Sequence, residues 1–175
     1  ECVCKNDTPD IVLISGVLTY NGERTSHDEM KAALKKLQQN GKRVYVITAT
    51  HDYTTPRMPT YGIDKNDKYI EVESVKRTQL LKYYGDFGYN NAIAKHKSTM
   101  SYVAQLADGY RLFALNDDYG DPDCGFSDEL MNWVKTEANN AKRDGQYIIA
   151  MTHHPLVPPS PIYTAVAKGD MLNEY

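Results

Sequence analysis

The pattern that most limits what this chain can fold into fills its first fifty residues. An apolar run, Ile11-Val12-Leu13-Ile14, leads through a polar loop and an amphipathic stretch to Gly41 and a second run, Val44-Tyr45-Val46-Ile47. Short apolar runs bounded by turn residues read as buried strands, and Met30, Ala33, Leu34 and Leu37 recur at the spacing of one helix face. Ser26-His27-Asp28-Glu29 has the form of a capping box ahead of that face, with Gly41 as the C′ residue behind it. A strand, crossover helix and strand of this kind is right-handed in nearly all sheets, so the two strands run parallel with their carboxyl ends together.

The pattern returns near the end. Tyr110 to Leu115 reads as a strand, and Ser127 caps a helix that places Leu130, Met131, Val134, Ala138 and Ala141 on one face. Gly145 closes it, and Tyr147-Ile148-Ile149-Ala150 is the next strand. The expectation is an α/β fold in which 11–15, 44–48, 111–115 and 147–151 are neighbouring strands of one mostly parallel sheet, flanked by helices near 27–40 and 127–143. Residues 53–106 read as an insertion or lid region inside a single domain, 1–175. Within it, Ser74 to Tyr84 looks helical with Gly85 as its stop. Met100 to Leu106 looks like a strand turned by Asp108-Gly109 into the next.

Composition narrows the function classes. At 175 residues the chain suits one ordinary domain. Twenty Lys and Arg against 23 Asp and Glu give a net charge of -3, which speaks against a nucleic-acid partner because that role shows as a basic stripe. No apolar run approaches the roughly 18 to 20 residues that span a bilayer, so the chain reads as soluble, without a transmembrane segment. Cys2, Cys4 and Cys124 make an odd count without zinc-knuckle spacing, and they read as plain thiols, Cys124 a buried one. A chain opening at Glu1 with no initiator methionine reads as one that has been cut, processed or expressed as a piece. Substrate, native metal, oligomeric state and compartment stay open.

In an open α/β sheet, ligands bind beyond the carboxyl ends of the parallel strands. Three runs follow the apolar strands and belong to that rim: Ser15 to Glu23, Ala49-Thr50-His51-Asp52 and Thr152-His153-His154-Pro155. Asn116-Asp117-Asp118 joins them. A rim histidine suits acid or base work, and a neighbouring carboxylate can fix its tautomer, so His51 and Asp52 are either a working pair or an ordinary loop histidine beside a solvated acid. His153 and His154 are either ligands or satisfied polar residues at a strand end. Side chains on extended backbone alternate, so one ring is expected in the crevice and the other in the loop. His27 and His96 are read as solvated. The tyrosines at 61, 69, 83, 84, 89 and 102 either line a pocket for a sugar or base or pack with their hydroxyls outward. Asp86-Phe87-Gly88 matches the kinase tripeptide without its companion motifs and is read as coincidence.

Taken together, these runs resemble the calcineurin-like metallophosphoesterase superfamily. Ile14 to Glu23 resembles its second motif, Ala49-Thr50-His51-Asp52 its Gly-Asn-His-Asp motif, and Thr152-His153-His154-Pro155 its lone-histidine motif, in matching order over 10–175. The resemblance implies a layered α/β sandwich, incomplete in this chain, and hydrolysis of phosphate mono- or diesters by a metal pair of manganese, iron or zinc. It implies that His51 serves the leaving group, Asp52 orients His51, and His153 binds a metal. From the residues themselves, His154, Asn116 and Asp117 are read as standing behind these or touching substrate, and Asn116-Asp117-Asp118 either contacts a metal or substrate or merely turns the chain. Val17 stands where the family has a bridging aspartate, and Thr50 where it has a metal-binding asparagine. The family's Asp-x-His and Gly-His-x-His motifs are missing from these 175 residues. The expectation is therefore a phosphohydrolase scaffold that takes a small phosphoester or phosphate, binds metal weakly or not at all, and does not turn over as it stands. The alternative is a non-catalytic ligand- or partner-binding module on the same scaffold.

Overall fold

In the computed structural model, residues 9–55, 60–118 and 125–157 are described. The three cysteines lie outside them. The described strands and helices make a mixed α/β chain that divides into two compact units, Glu1–Phe87 and Gly88–Tyr175. The 53–106 stretch contributes to both.

In the first unit, β1 (Ile11–Ser15) leads to α1 (Arg24–Gln39) and β2 (Arg43–Ile47). The two strands pair in parallel from Ile11 with Arg43 to Ser15 with Ile47, as a crossover helix requires. The helix starts two residues before the capping box foreseen at Ser26: its N-cap is Glu23, and no side chain caps it. Its other end closes as a Schellman motif, with Gly41 at φ +79° and N–H groups of Gly41 and Lys42 donating to Gln38 and Leu37. Leu34, Val44, Val46, Leu80 and Phe87 are buried. Beyond β2 come a ribbon of β3 (Tyr61–Ile63) and β4 (Tyr69–Glu71), a 3-10 turn, and α2 (Leu80–Tyr84). The helix foreseen from Ser74 to Tyr84 is thus confined to its last part, ending before Gly85 as expected.

The second unit carries β5 (Ala94–His96), β6 (Ser101–Ala107), β7 (Tyr110–Ala114), α3 (Asp128–Arg143) and β8 (Tyr147–Met151). Its sheet order is β5-β6-β7-β8, with only β7 and β8 parallel. The two-residue Asp108-Gly109 turn forces β6 and β7 antiparallel, whereas α3 crosses over and brings β8 back beside β7. The single, mostly parallel sheet expected from the sequence is therefore found as separate hydrogen-bonded sets, one parallel pair in each unit, and the larger sheet is mixed. Ser127 caps α3 as expected by accepting from the Leu130 N–H, and Gly145 closes it with the Schellman bonds seen at Gly41. Phe113, Leu115, Leu130, Met131, Val134 and Ala138 form the core beneath the helix. No helix among the described residues is long and apolar enough to cross a membrane.

Candidate functional site

Parallel pairing of β1 and β2 starts their exit loops side by side. Gly16 is at φ +95°, and a Cβ there would come within 2.7 Å of the Ala49 Cβ, so glycine is what lets the loops approach. Between them lies Asp52, fully buried. Its Oδ1 accepts from the N–H groups of Leu18 and Thr19, and its Oδ2 accepts from Ala49 at 2.8 Å. Glu23 does the same one turn further on, accepting from Tyr20 at 3.2 Å and Asn21 at 2.9 Å. Thr19 Oγ1 accepts from Gly22 and donates to the His51 carbonyl at 2.9 Å. The five consecutive amides from 18 to 22 are thus all held by side chains. Val17 opens this loop at φ +53°, a left-handed conformation strained for a β-branched residue, with its side chain 46% exposed.

His51 projects from the adjoining 3-10 turn, Thr50–Asp52, and is half-buried, as is Thr50. Its Nδ1 lies 2.8 Å from the Tyr20 carbonyl and 3.2 Å from Asn21 Oδ1. A carbonyl only accepts, so Nδ1 carries the hydrogen and the neutral ring presents an Nε2 lone pair. The resemblance gave Asp52 the task of orienting this ring. The ring's hydrogen bonds instead run to Tyr20 and Asn21, because both Asp52 oxygens face backbone amides.

The solvated reading of His27 is overturned. The residue is fully buried, with Nε2 2.9 Å from the Asp52 carbonyl and Nδ1 against the Tyr84 hydroxyl. The carbonyl makes Nε2 the protonated nitrogen, and Tyr84 donates to Nδ1. Burial pushes the His27 pKa below its usual value, against the opposing pull of the Asp52 carbonyl and of Glu23 and Asp28. Burial pushes the Tyr84 hydroxyl up, helped by the Asp52 charge. The signal was in the sequence: His27 stands seven residues before Leu34, on the apolar face of α1.

The second unit repeats the arrangement with a different outcome. Asn116, Asp117 and Asp118 follow β7 and are buried. Asp117 Oδ2 accepts from the N–H groups of His153 at 3.2 Å and His154 at 2.7 Å, and its Oδ1 lies 3.1 Å from His154 Nδ1. His154 is therefore protonated on Nδ1 and offers Nε2. The alternation expected for the two histidines fails. Their ring centroids are 4.7 Å apart, edge to face, because the backbone after β8 bends to bring both amides onto one carboxylate. His96 is also buried rather than solvated, with Nδ1 2.9 Å from Thr99 Oγ1 in a chain that continues through Ser101 Oγ to the Asn116 N–H.

A catalytic divalent ion needs about three protein ligands. Among the described residues no three His, Cys, Asp or Glu side chains gather in a way that holds a metal ion. Val17 offers no donor atom, and Asp52 and Asp117 are turned to backbone amides. The residues described do not fit the metal pair that the resemblance implies. The chain matches no protein-family model and no curated protein.

Proposed function

We propose that this chain is a metallophosphoesterase-like domain that binds a phosphate group at the His51 loop and does not turn it over through a metal pair. The observation that carries the reading is the state of the loop: both Asp52 oxygens are bound to backbone amides, while the Tyr20 carbonyl holds the His51 Nδ1 hydrogen and so fixes the tautomer that leaves Nε2 for a ligand. That nitrogen accepts an O–H from a protonated phosphate, or donates to the anion as imidazolium. The order and spacing of the three motif runs support a sandwich of that family and a phosphoester ligand.

A hydrolytic reading draws on the same histidine, since a ring held by one nitrogen is what leaving-group protonation needs. Two measurements on the purified chain separate the readings. Metal content by mass spectrometry is expected to be substoichiometric, and phenyl phosphate is expected to shift the His51 ring signals, with the binding lost in His51→Ala. Chelator-sensitive hydrolysis of bis-p-nitrophenyl phosphate in manganese would overturn the non-catalytic reading. Phenyl phosphate leaving His51 unmoved would overturn the phosphate site.

A further inference from the structure

We infer that Glu23 is a positioning residue for His51, setting which ring nitrogen carries the proton through the two backbone units it holds. The inference rests on His51 as the ligand-facing group, but its chemistry is that of the loop alone.

The acceptors on His51 Nδ1 are the backbone carbonyl of Tyr20 and the side-chain oxygen of Asn21. Neither is anchored by the strands. Tyr20 is 76% exposed, so its own side chain does little to locate its carbonyl. Both residues are instead gripped by Glu23, whose Oε2 accepts from the Tyr20 N–H and whose Oε1 accepts from the Asn21 N–H. Glu23 has a fixed base: it is the N-cap of α1, its carbonyl accepts from His27, and it is 9% exposed. Thr60 steadies the other side by donating to the Asn21 carbonyl at 2.6 Å. A carboxylate with two oxygens on two successive amides fixes the peptide plane between Tyr20 and Asn21, and that plane carries the Tyr20 carbonyl. Turning that plane would withdraw the acceptor, and Nδ1 would lose its reason to hold the proton.

The test reads the tautomer directly. Two-dimensional nitrogen-proton NMR of the full 175-residue chain, labelled with nitrogen-15 at pH 8, distinguishes a protonated from an unprotonated ring nitrogen. His51 signals are assigned by their loss in His51→Ala. Wild type is expected to show Nδ1–H. Glu23→Ala is expected to shift His51 toward the Nε2–H form, and Glu23→Gln, which keeps one acceptor oxygen, to restore part of the native pattern. If Glu23→Ala does not fold, Thr60→Val, which releases the Asn21 carbonyl, is expected to shift the tautomer in the same direction by less. An Nε2–H tautomer in wild type, or a folded Glu23→Ala or Thr60→Val that keeps Nδ1–H, would overturn the inference. A phenyl phosphate titration of the same samples keeps the two readings apart. The tautomer outcome stands or falls whether or not phosphate binds.

Discussion

Each unit ends a parallel strand pair on a buried carboxylate, and the two carboxylates treat their histidines differently. Asp52 adjoins His51 in sequence yet leaves its ring alone, tying the loop after β1 to the turn after β2. Asp117 lies 37 residues from His154 and holds both its N–H and its ring. A carboxylate beside a histidine in the chain is thus no guide to which acid orients it. What decides is where backbone amides are left without strand partners, since a buried acid satisfies those first.

The largest expected effect follows from that difference. Asp52→Ala would strand three buried amides and should cost about 3 to 5 kcal/mol of stability, whereas Asp117→Ala strands two amides beside a half-buried ring and should cost about 2 to 3 kcal/mol. Denaturant titration of both variants checks the order. An equal or larger loss at Asp117 would break the comparison.

His27 sharpens it, because it ties the Asp52 turn to α1 and α2. Its folded pKa lies below the unfolded value of 6.5, so the unfolded chain takes up the proton first. The contribution is present in full above about pH 6.5 and is lost as the pH falls from there through the folded value. Melting curves from pH 7.5 to 5 should show this acid-side loss, and His27→Gln, itself destabilising by about 1 to 3 kcal/mol, should flatten it. The same slope in the variant would remove His27 as its source.

Both units hold a non-glycine residue in the left-handed region, Val17 in the first and Met100 in the second, and the β-branched one is the more strained. Val17→Asn should raise stability by about 1 kcal/mol, since asparagine tolerates the left-handed backbone and the lost side chain is nearly half exposed. A lower melting temperature would mean that the valine packs in a way that outweighs its backbone. The smallest effects compare helix starts: Ser127→Ala should cost about 1 kcal/mol, while Ser26→Ala should change stability by less than about 0.5 kcal/mol, because only the first serine caps.

Much of this was legible in the chain. Apolar runs and helical spacing located both parallel strand pairs and both long helices, and Ser127, Gly41 and Gly145 marked helix ends, because these features depend on nearest neighbours along the chain. The start of α1 was not legible. Ser26 satisfies the capping pattern locally, but Glu23 is recruited to the N-cap by the amides of the loop it closes. The solvated readings of His27 and His96 failed for a related reason: composition marks histidine as polar, and burial depends on which hydroxyls and carbonyls the fold brings to its two nitrogens.

The sequence by itself determined the alternation of strand and helix in each unit and the places of His51 and Asp52 after β2 and of His153 and His154 after β8. Side-chain type and local periodicity are properties of the chain alone. Only the tertiary structure decided that Asp52 serves backbone rather than ring, that Asp117 gathers two histidine amides and one imidazole, and that the Tyr20 carbonyl meets the His51 Nδ1 while Glu23 holds the Tyr20 and Asn21 amides. Those outcomes depend on which donors and acceptors meet across long sequence separations, and a buried polar group takes the partner that folding brings within hydrogen-bond distance.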